Sequence, residues 1–165
     1  MKILSCTQQK EADNFTSAHE NILSINLMEK AASLIAEEIS RRWDHTRRII
    51  IFAGAGNNGG DAVAVARMLF LKNYKVEVFL FNTKGILSDD CMTNVKRLKD
   101  CGFADYHEIS TTFDPPKLTQ YDIVVDGLFG SGLNKPLSGG FASVVKYINA
   151  SQATVVSIDL PSGLM

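Results

Sequence analysis

The sequence predicts a three-layer αβα domain built on a doubly wound parallel sheet. Three observations carry this. Short runs of β-branched and other apolar residues alternate with helical stretches along most of the chain. The runs are apolar almost throughout, as strands covered on both faces are. Several end in glycine- or aspartate-rich turns, the punctuation of strand-to-helix connections. Strand–helix–strand alternation implies parallel strands with right-handed crossovers, which gives a Rossmann-like sheet of order 3-2-1-4-5.

Gln8 to His19 is mixed and polar, and reads as helical. From Ser24 the pattern sharpens: Ile25, Met28, Ala32, Ile35 and Ile39 recur at helical spacing, with Glu29, Lys30, Glu37 and Glu38 on other faces. Ser24 is the expected N-cap, its hydroxyl accepting from a first-turn amide. This helix should end near Trp43. Arg48–Ala53 is the first strand and Asp61–Lys72 the helix after it. Val76–Phe81 is the second strand, followed by a helix over Asp89–Cys101. Phe103–Ile109 is a weaker strand. Asp114-Pro115-Pro116 marks a turn before the strand Ile123–Val125. A helix over Gly139–Asn149 leads to the last strand, Thr154–Ile158.

The chain has 165 residues, 45% apolar and 21% charged, with net charge −1. That suits one domain, 1–165, with a sizeable core, and no second domain. The charge argues against a general nucleic-acid or membrane-surface binder. Cys6, Cys91 and Cys101 show neither disulfide nor zinc spacing, and His19, His45 and His107 form no triad. No apolar run is long enough to span a bilayer, and the N-terminus is too polar for a secretory signal, so the cytoplasm is the default compartment. Arg41, Arg42, Arg47 and Arg48 read as helix-end cations and a solvated connector rather than a nucleic-acid patch. Met28 reads as core or a subunit contact. The helices before the first strand need something to pack on, which suggests a homodimer.

In such sheets the ligand crevice lies outside the carboxyl ends of the strands, where the strand order reverses. The segments after Ala53, Val125 and Ile158 should therefore face one crevice. The first is Gly54-Ala55-Gly56-Asn57-Asn58-Gly59-Gly60-Asp61, a Gly-x-Gly-x-x-Gly turn that suits phosphate. Alone it is weak, and a plain tight turn with Asn57 and Asn58 left-handed would explain it as well. The second strand ends Asn82-Thr83-Lys84, without the ribose-holding acid of dehydrogenases. Lys84 could meet a ribose phosphate, which keeps an NADP-dependent oxidoreductase as an alternative. The second segment is Asp126-Gly127-Leu128-Phe129-Gly130-Ser131-Gly132-Leu133-Asn134-Lys135-Pro136. The third is Asp159-Leu160-Pro161-Ser162-Gly163. Each aspartate alone could cap a loop. Together they deliver three carboxylates to one crevice, as an acid/base or cation site requires.

At these residues the sequence resembles the NAD(P)H-hydrate epimerases, the YjeF N-terminal domain family. The matching pieces are Asn57 to Asp61, Val125 to Leu133 and Ser157 to Gly163, with Glu11-Ala12-Asp13 and Leu27 to Ala32 near the start. The resemblance implies action on hydrated NADH or NADPH, interconverting R and S forms so that a dehydratase can repair the S form. It implies that Asn57, Asn58, Gly59, Gly60, Asp61, Gly130 to Pro136 and Asp159 contact substrate. It further implies a potassium ion held by Asn58, Asp126 and Ser162. Ala62 stands where the family commonly has glycine, Ser131 where threonine is common, and Lys135 where arginine is frequent. Relatives of this fold also serve as protein- or RNA-binding scaffolds, an alternative opposed by the presence of Asp61, Asp126 and Asp159.

Protonating the substrate hydroxyl would let the ring nitrogen expel water as a planar iminium ion, and water returning to the other face would invert the centre. One aspartate acting as acid and then base suffices. Asp159 is the first candidate and Asp61 the second. The family's epimerase domain continues beyond the Pro-Ser-Gly turn, and bacterial relatives often run on into an ADP- or ATP-dependent dehydratase domain. The resemblance therefore implies an N-terminal part, with an incomplete sheet edge and a loosely anchored Ser162 loop.

Overall fold

The computed structural model describes Gln8, Glu11, Ala12, Phe15 and residues 23–164. Those first four residues are helical, and the rest of the helix expected over Gln8–His19 lies outside the described residues, as does Cys6. The elements then run α1 (Ser24–Arg42), β1 (Arg48–Gly54), α2 (Asn57–Leu71), β2 (Lys75–Phe81), α3 (Asp89–Asp100), β3 (Tyr106–Ile109), β4 (Ile123–Gly127), α4 (Gly139–Ala150) and β5 (Thr154–Ser157). The strands form a parallel sheet of order β3-β2-β1-β4-β5, the predicted one.

Alternation of side chains along a strand splits the core into two layers. Ile49, Ile51 and Ala53 of β1 pack with Ala32, Ala36 and Ile39 of α1, with α2, and with Val95 and Leu98 of α3. Ile50 and Phe52 point the other way, onto Phe79, Phe81 and Val144 and Ile148 of α4. The central strand is therefore buried on both faces, which is why it reads as an unbroken apolar run. Among the described residues β5 is the outer strand, pairs only with β4, and leaves Val155 exposed.

Two local expectations change. Ser24 is not the cap of α1: Leu23 is, with no side-chain cap, and the Ser24 hydroxyl instead donates to Asp90 at the start of α3. Being already helical, Ser24 sits one residue too late to reach the first-turn amides. The weak third strand is trimmed to Tyr106–Ile109, because only these residues pair with β2.

The arginines are each engaged. Arg41 and Arg42 both pair with Glu38 one turn back, and Arg47 donates to the Gln120 carbonyl and lies over the Tyr121 ring. Arg48 grips Asp122 through Nε (3.0 Å) and Nη2 (3.1 Å), tying β1 to the turn before β4. Burial raises the Asp122 pKa, but Arg48 and the Thr119 amide and hydroxyl outweigh it, holding the carboxyl below its ordinary value. Asp122→Ala should cost about 2 kcal/mol in urea unfolding, since it strands charged and amide donors. The wild-type advantage is full above the ordinary carboxylate range and fades as pH falls through the lowered pKa.

Candidate functional site

The carboxyl ends of β1, β4 and β5 open into a cavity of about 1230 Å³. This exceeds the usual small-molecule range of about 300–1,000 Å³. Its walls include Gly54 to Asn58 and Asp61 after β1, Leu128 to Lys135 after β4, and Ile158 and Asp159 after β5. The three segments expected to share a crevice do share one, but of the three expected carboxylates only Asp61 and Asp159 line it; Asp126 is buried and does not.

The glycine-rich turn is mostly helix. Asn57 to Gly60 form the first turn of α2, four residues before the expected start, and neither Asn57 nor Asn58 is left-handed. Gly59 makes this possible. A Cβ there would lie 1.7 Å from the Gly54 carbonyl oxygen, so only glycine lets the helix begin directly against the strand it leaves. The N-cap, Gly56, supplies no side-chain acceptor, so first-turn amides face the cavity mouth uncapped. Gly59 and Gly60 are buried and, like Pro136, are not part of the cavity lining.

Asp61 follows on the next turn of α2 and reaches the cavity half-buried. Burial first, then the negative charges of Asp159 and Asp90, push its carboxyl up to about 7. Asp159 is more exposed, and its Oδ2 accepts the Ser131 amide at 2.7 Å. That bond fastens the loop after β4 to the end of β5. Gly130 permits it, since a Cβ there would sit 2.6 Å from Asp159 Oδ2 and 3.2 Å from Asn58 Oδ1.

Asp126 and Ser162 lie behind this wall, both buried. Asp126 Oδ1 accepts the Ser162 hydroxyl at 2.6 Å, and Oδ2 accepts the Ser162 amide at 2.8 Å. The Phe129 amide donates to Ser162 Oγ at 3.0 Å. The Ser162 loop is thus pinned to β4, against the expectation that it would be loosely anchored, because a buried carboxylate takes up its donors. Asn58 makes no hydrogen bond to this pair; its side chain lies beside Gly130, with Nδ2 buried and without a hydrogen-bond partner. Turning that amide over presents an oxygen instead. Carboxylate, hydroxyl, amide oxygen and the nearby Phe129 carbonyl are hard donors, of the type that suits a hard cation such as potassium. Among the described residues no three His, Cys, Asp or Glu side chains gather as a metal group.

Two further walls lie outside the three strand ends. Ser24, Leu27, Met28, Ala31 and Ile35 of α1 line the cavity, so one helix serves both core and site. Thr83, Lys84 and Ile86, after β2, line the far side. Of these only Lys84 stood out in the sequence. Behind Gly127, Ala62 closes the join between α2 and β4: a Cβ on Gly127 would fall 2.4 Å from the Ala62 methyl.

Fold and site define an α/β domain of the doubly wound class, with its cavity at the switch point of the sheet. Residues 24–165 match the family described as YjeF-related protein N-terminus, and the chain belongs to that family. It is 32% identical over 161 residues to the NAD(P)H-hydrate epimerase of Limosilactobacillus fermentum, covering 98% of this chain and 74% of that one. The enzyme of the same name from Oenococcus oeni is 34% identical, covering 98% and 74%. The bifunctional NAD(P)H-hydrate repair enzyme of Moorella thermoacetica is 34% identical, with 99% of this chain matching 32% of that protein. The crystal structure of yeast ynu0 superposes with a TM-score of 0.80 at 22% identity, over 99% of this chain and 72% of that one, and shares the fold. No helix among the described residues is long and apolar enough to cross a membrane.

Proposed function

We propose that residues 1–165 act as an NAD(P)H-hydrate epimerase domain, an isomerase that interconverts the R and S forms of hydrated NADH or NADPH. The observation that carries this is a carboxyl poised near neutrality, Asp61, sharing a dinucleotide-sized cavity with Asp159 in a chain whose relatives bear that name. An oxidoreductase is disfavoured at the end of β2, where Asn82 is buried and donates to Glu108 rather than offering a ribose acid.

In this reading Asp61 is the acid and base. Sequence puts Asp159 first; we favour Asp61, whose carboxyl is pushed up to about 7, while Asp159 Oδ2 accepts the Ser131 amide. Asp61 donates that proton to the ring hydroxyl. The carbon–oxygen bond breaks, water leaves, and the ring nitrogen lone pair forms the iminium double bond. Asp159 and the newly ionised Asp61 stabilise this cation electrostatically. Water adds to the opposite face and returns its proton to Asp61. Asn57, Asn58 and the uncapped amides of α2 hold the diphosphate, with the loop Gly130 to Pro136 closing over it through Lys135. Gly59 and Gly60 shape that contact from behind.

Asn58, Asp126 and Ser162 would hold a potassium ion. When bound it would supply positive charge behind the loops that meet the phosphates. A second copy of the chain and a dehydratase, as a domain or separate protein, are the partners of this reading, and the free thiols of Cys91 and Cys101 suit a reducing cytoplasm.

The test is to follow loss of the R hydrate while an S-specific dehydratase removes the S form. The chain should accelerate that loss by at least about 100-fold, the lower range for positioned acid–base catalysis. Potassium should support a faster rate than tetramethylammonium. An R form that persists in the presence of folded protein rejects the reading.

A further inference from the structure

We propose that Lys84 reads the 2′-phosphate on the substrate's adenosine ribose, so that the chain prefers hydrated NADPH to hydrated NADH. This rests on the epimerase reading for the substrate's identity. In doubly wound sheets the adenosine ribose falls at the end of the second strand, where an acid receives a free 2′-hydroxyl and a cation accommodates a 2′-phosphate. Here the position for the acid is filled by Asn82, which is buried and turned to β3: its Nδ2 donates to Glu108 at 2.8 Å and its amide to the Ile109 carbonyl at 2.9 Å. The carboxylate nearest that point, Glu108, belongs to β3 and is held by Asn82 and by the Tyr106 hydroxyl.

The next residues have the opposite character. Gly85 takes φ +69° and donates to the Asn82 carbonyl, which makes a tight turn with Lys84 at its tip. Lys84 is exposed, lines the cavity, and has no ion-pair partner among the described residues. Thr83 adds a hydroxyl beside it. Ile86, 75% exposed on the same rim, offers an apolar surface to a base.

The charge layout of the cavity points the same way. Its carboxylates, Asp61 and Asp159, come from α2 and the end of β5, and suit a neutral ring that becomes a cation. Its lysines, Lys84 and Lys135, come from two other loops. Hydrated NADH has one phosphate-bearing region, its diphosphate, which the α2 amides and Lys135 can serve. A second, separate cation answers the extra phosphate that distinguishes hydrated NADPH.

The test compares kcat/KM for the two hydrates in the wild type, Lys84→Gln and Lys84→Arg, with Lys146→Gln on the outer helix α4 as control. The wild type should favour hydrated NADPH about tenfold, the effect of one charge-assisted contact. Lys84→Gln should erase the preference through KM, Lys84→Arg should keep it, and Lys146→Gln should leave the ratio unaltered. Calorimetry with 2′-phospho-ADP-ribose and ADP-ribose reads the same preference without turnover. A wild-type ratio near one, or a ratio that survives Lys84→Gln, overturns the proposal. If neither hydrate is epimerised yet the calorimetric preference exists and vanishes in Lys84→Gln, the epimerase reading fails and the role of Lys84 stands.

Discussion

Replacing Asp61 by asparagine should slow epimerisation by about 10²–10⁴-fold, the range for a positioned acid–base group, while making the protein more stable at pH 8. Both effects come from the same shifted carboxyl. With a folded pKa near 7 against an ordinary value of 3.8, the folded chain binds more protons than the unfolded one between those limits. Stability therefore falls as pH rises from about 4 to 7, and stays low above. Asparagine carries no such penalty. The gain at pH 8 should be about 2 kcal/mol, less than the full shift would give because the carboxyl is partly open to water. Melting curves at pH 5 and pH 8 separate this from a packing effect, which would be equal at both.

The rate should carry the same signature. The acid form of Asp61 starts the reaction, so wild-type kcat/KM should decline above pH 7. Asp159→Asn removes a like charge and should move that decline to lower pH. A pH profile unaltered by Asp159→Asn, or an Asp61→Asn enzyme with near-normal turnover, would show that the acid lies elsewhere.

Gly59→Ala should be the most damaging single methyl in the fold. The added carbon would meet the Gly54 backbone at 1.7 Å from oxygen, 2.6 Å from carbon and 2.8 Å from nitrogen. Backbone cannot step aside as a side chain can, so either β1 or α2 must move. A loss above about 4 kcal/mol is expected in urea unfolding, the range reserved for severe strain in a core. Gly60→Ala should be milder, because its closest neighbour, at 3.0 Å, is the flexible sulfur of Met28, although the backbone of Cys91 lies at 3.1 Å. Equal losses in the two variants would count against this account.

Much of this was legible in the residues themselves. Ile49 to Ala53 and Ile123 to Val125 read as strands because burial on both faces removes polar alternation, and three strand ends carrying aspartate pointed to one crevice. α2 begins four residues before its apparent start because glycine and asparagine are poor helix formers and hide its first turn. Contact with the β1 backbone outweighs that propensity, and propensity cannot reveal such a contact. Ser24 looked like a cap because caps are recognised locally, while its partner, Asp90, is distant in sequence. The part played by α1 in the cavity was hidden because Met28 and Ile35 look alike whether they face core or ligand. The elevated pKa of Asp61 was equally invisible, since it depends on burial and on charges from two other elements.

The join between Ala62 and Gly127 also constrains how this chain can change over time. With a methyl already at 62, a side chain at 127 has nowhere to go. Were 62 to become glycine first, 127 would lose its tightest neighbour, leaving the Asn58 carbonyl oxygen at 3.2 Å as the next contact of an added methyl at the end of the strand that carries Asp126. The order of substitutions therefore matters: the alanine at 62 acts as a latch, closing mutational routes through β4 that a lineage with glycine there still has open.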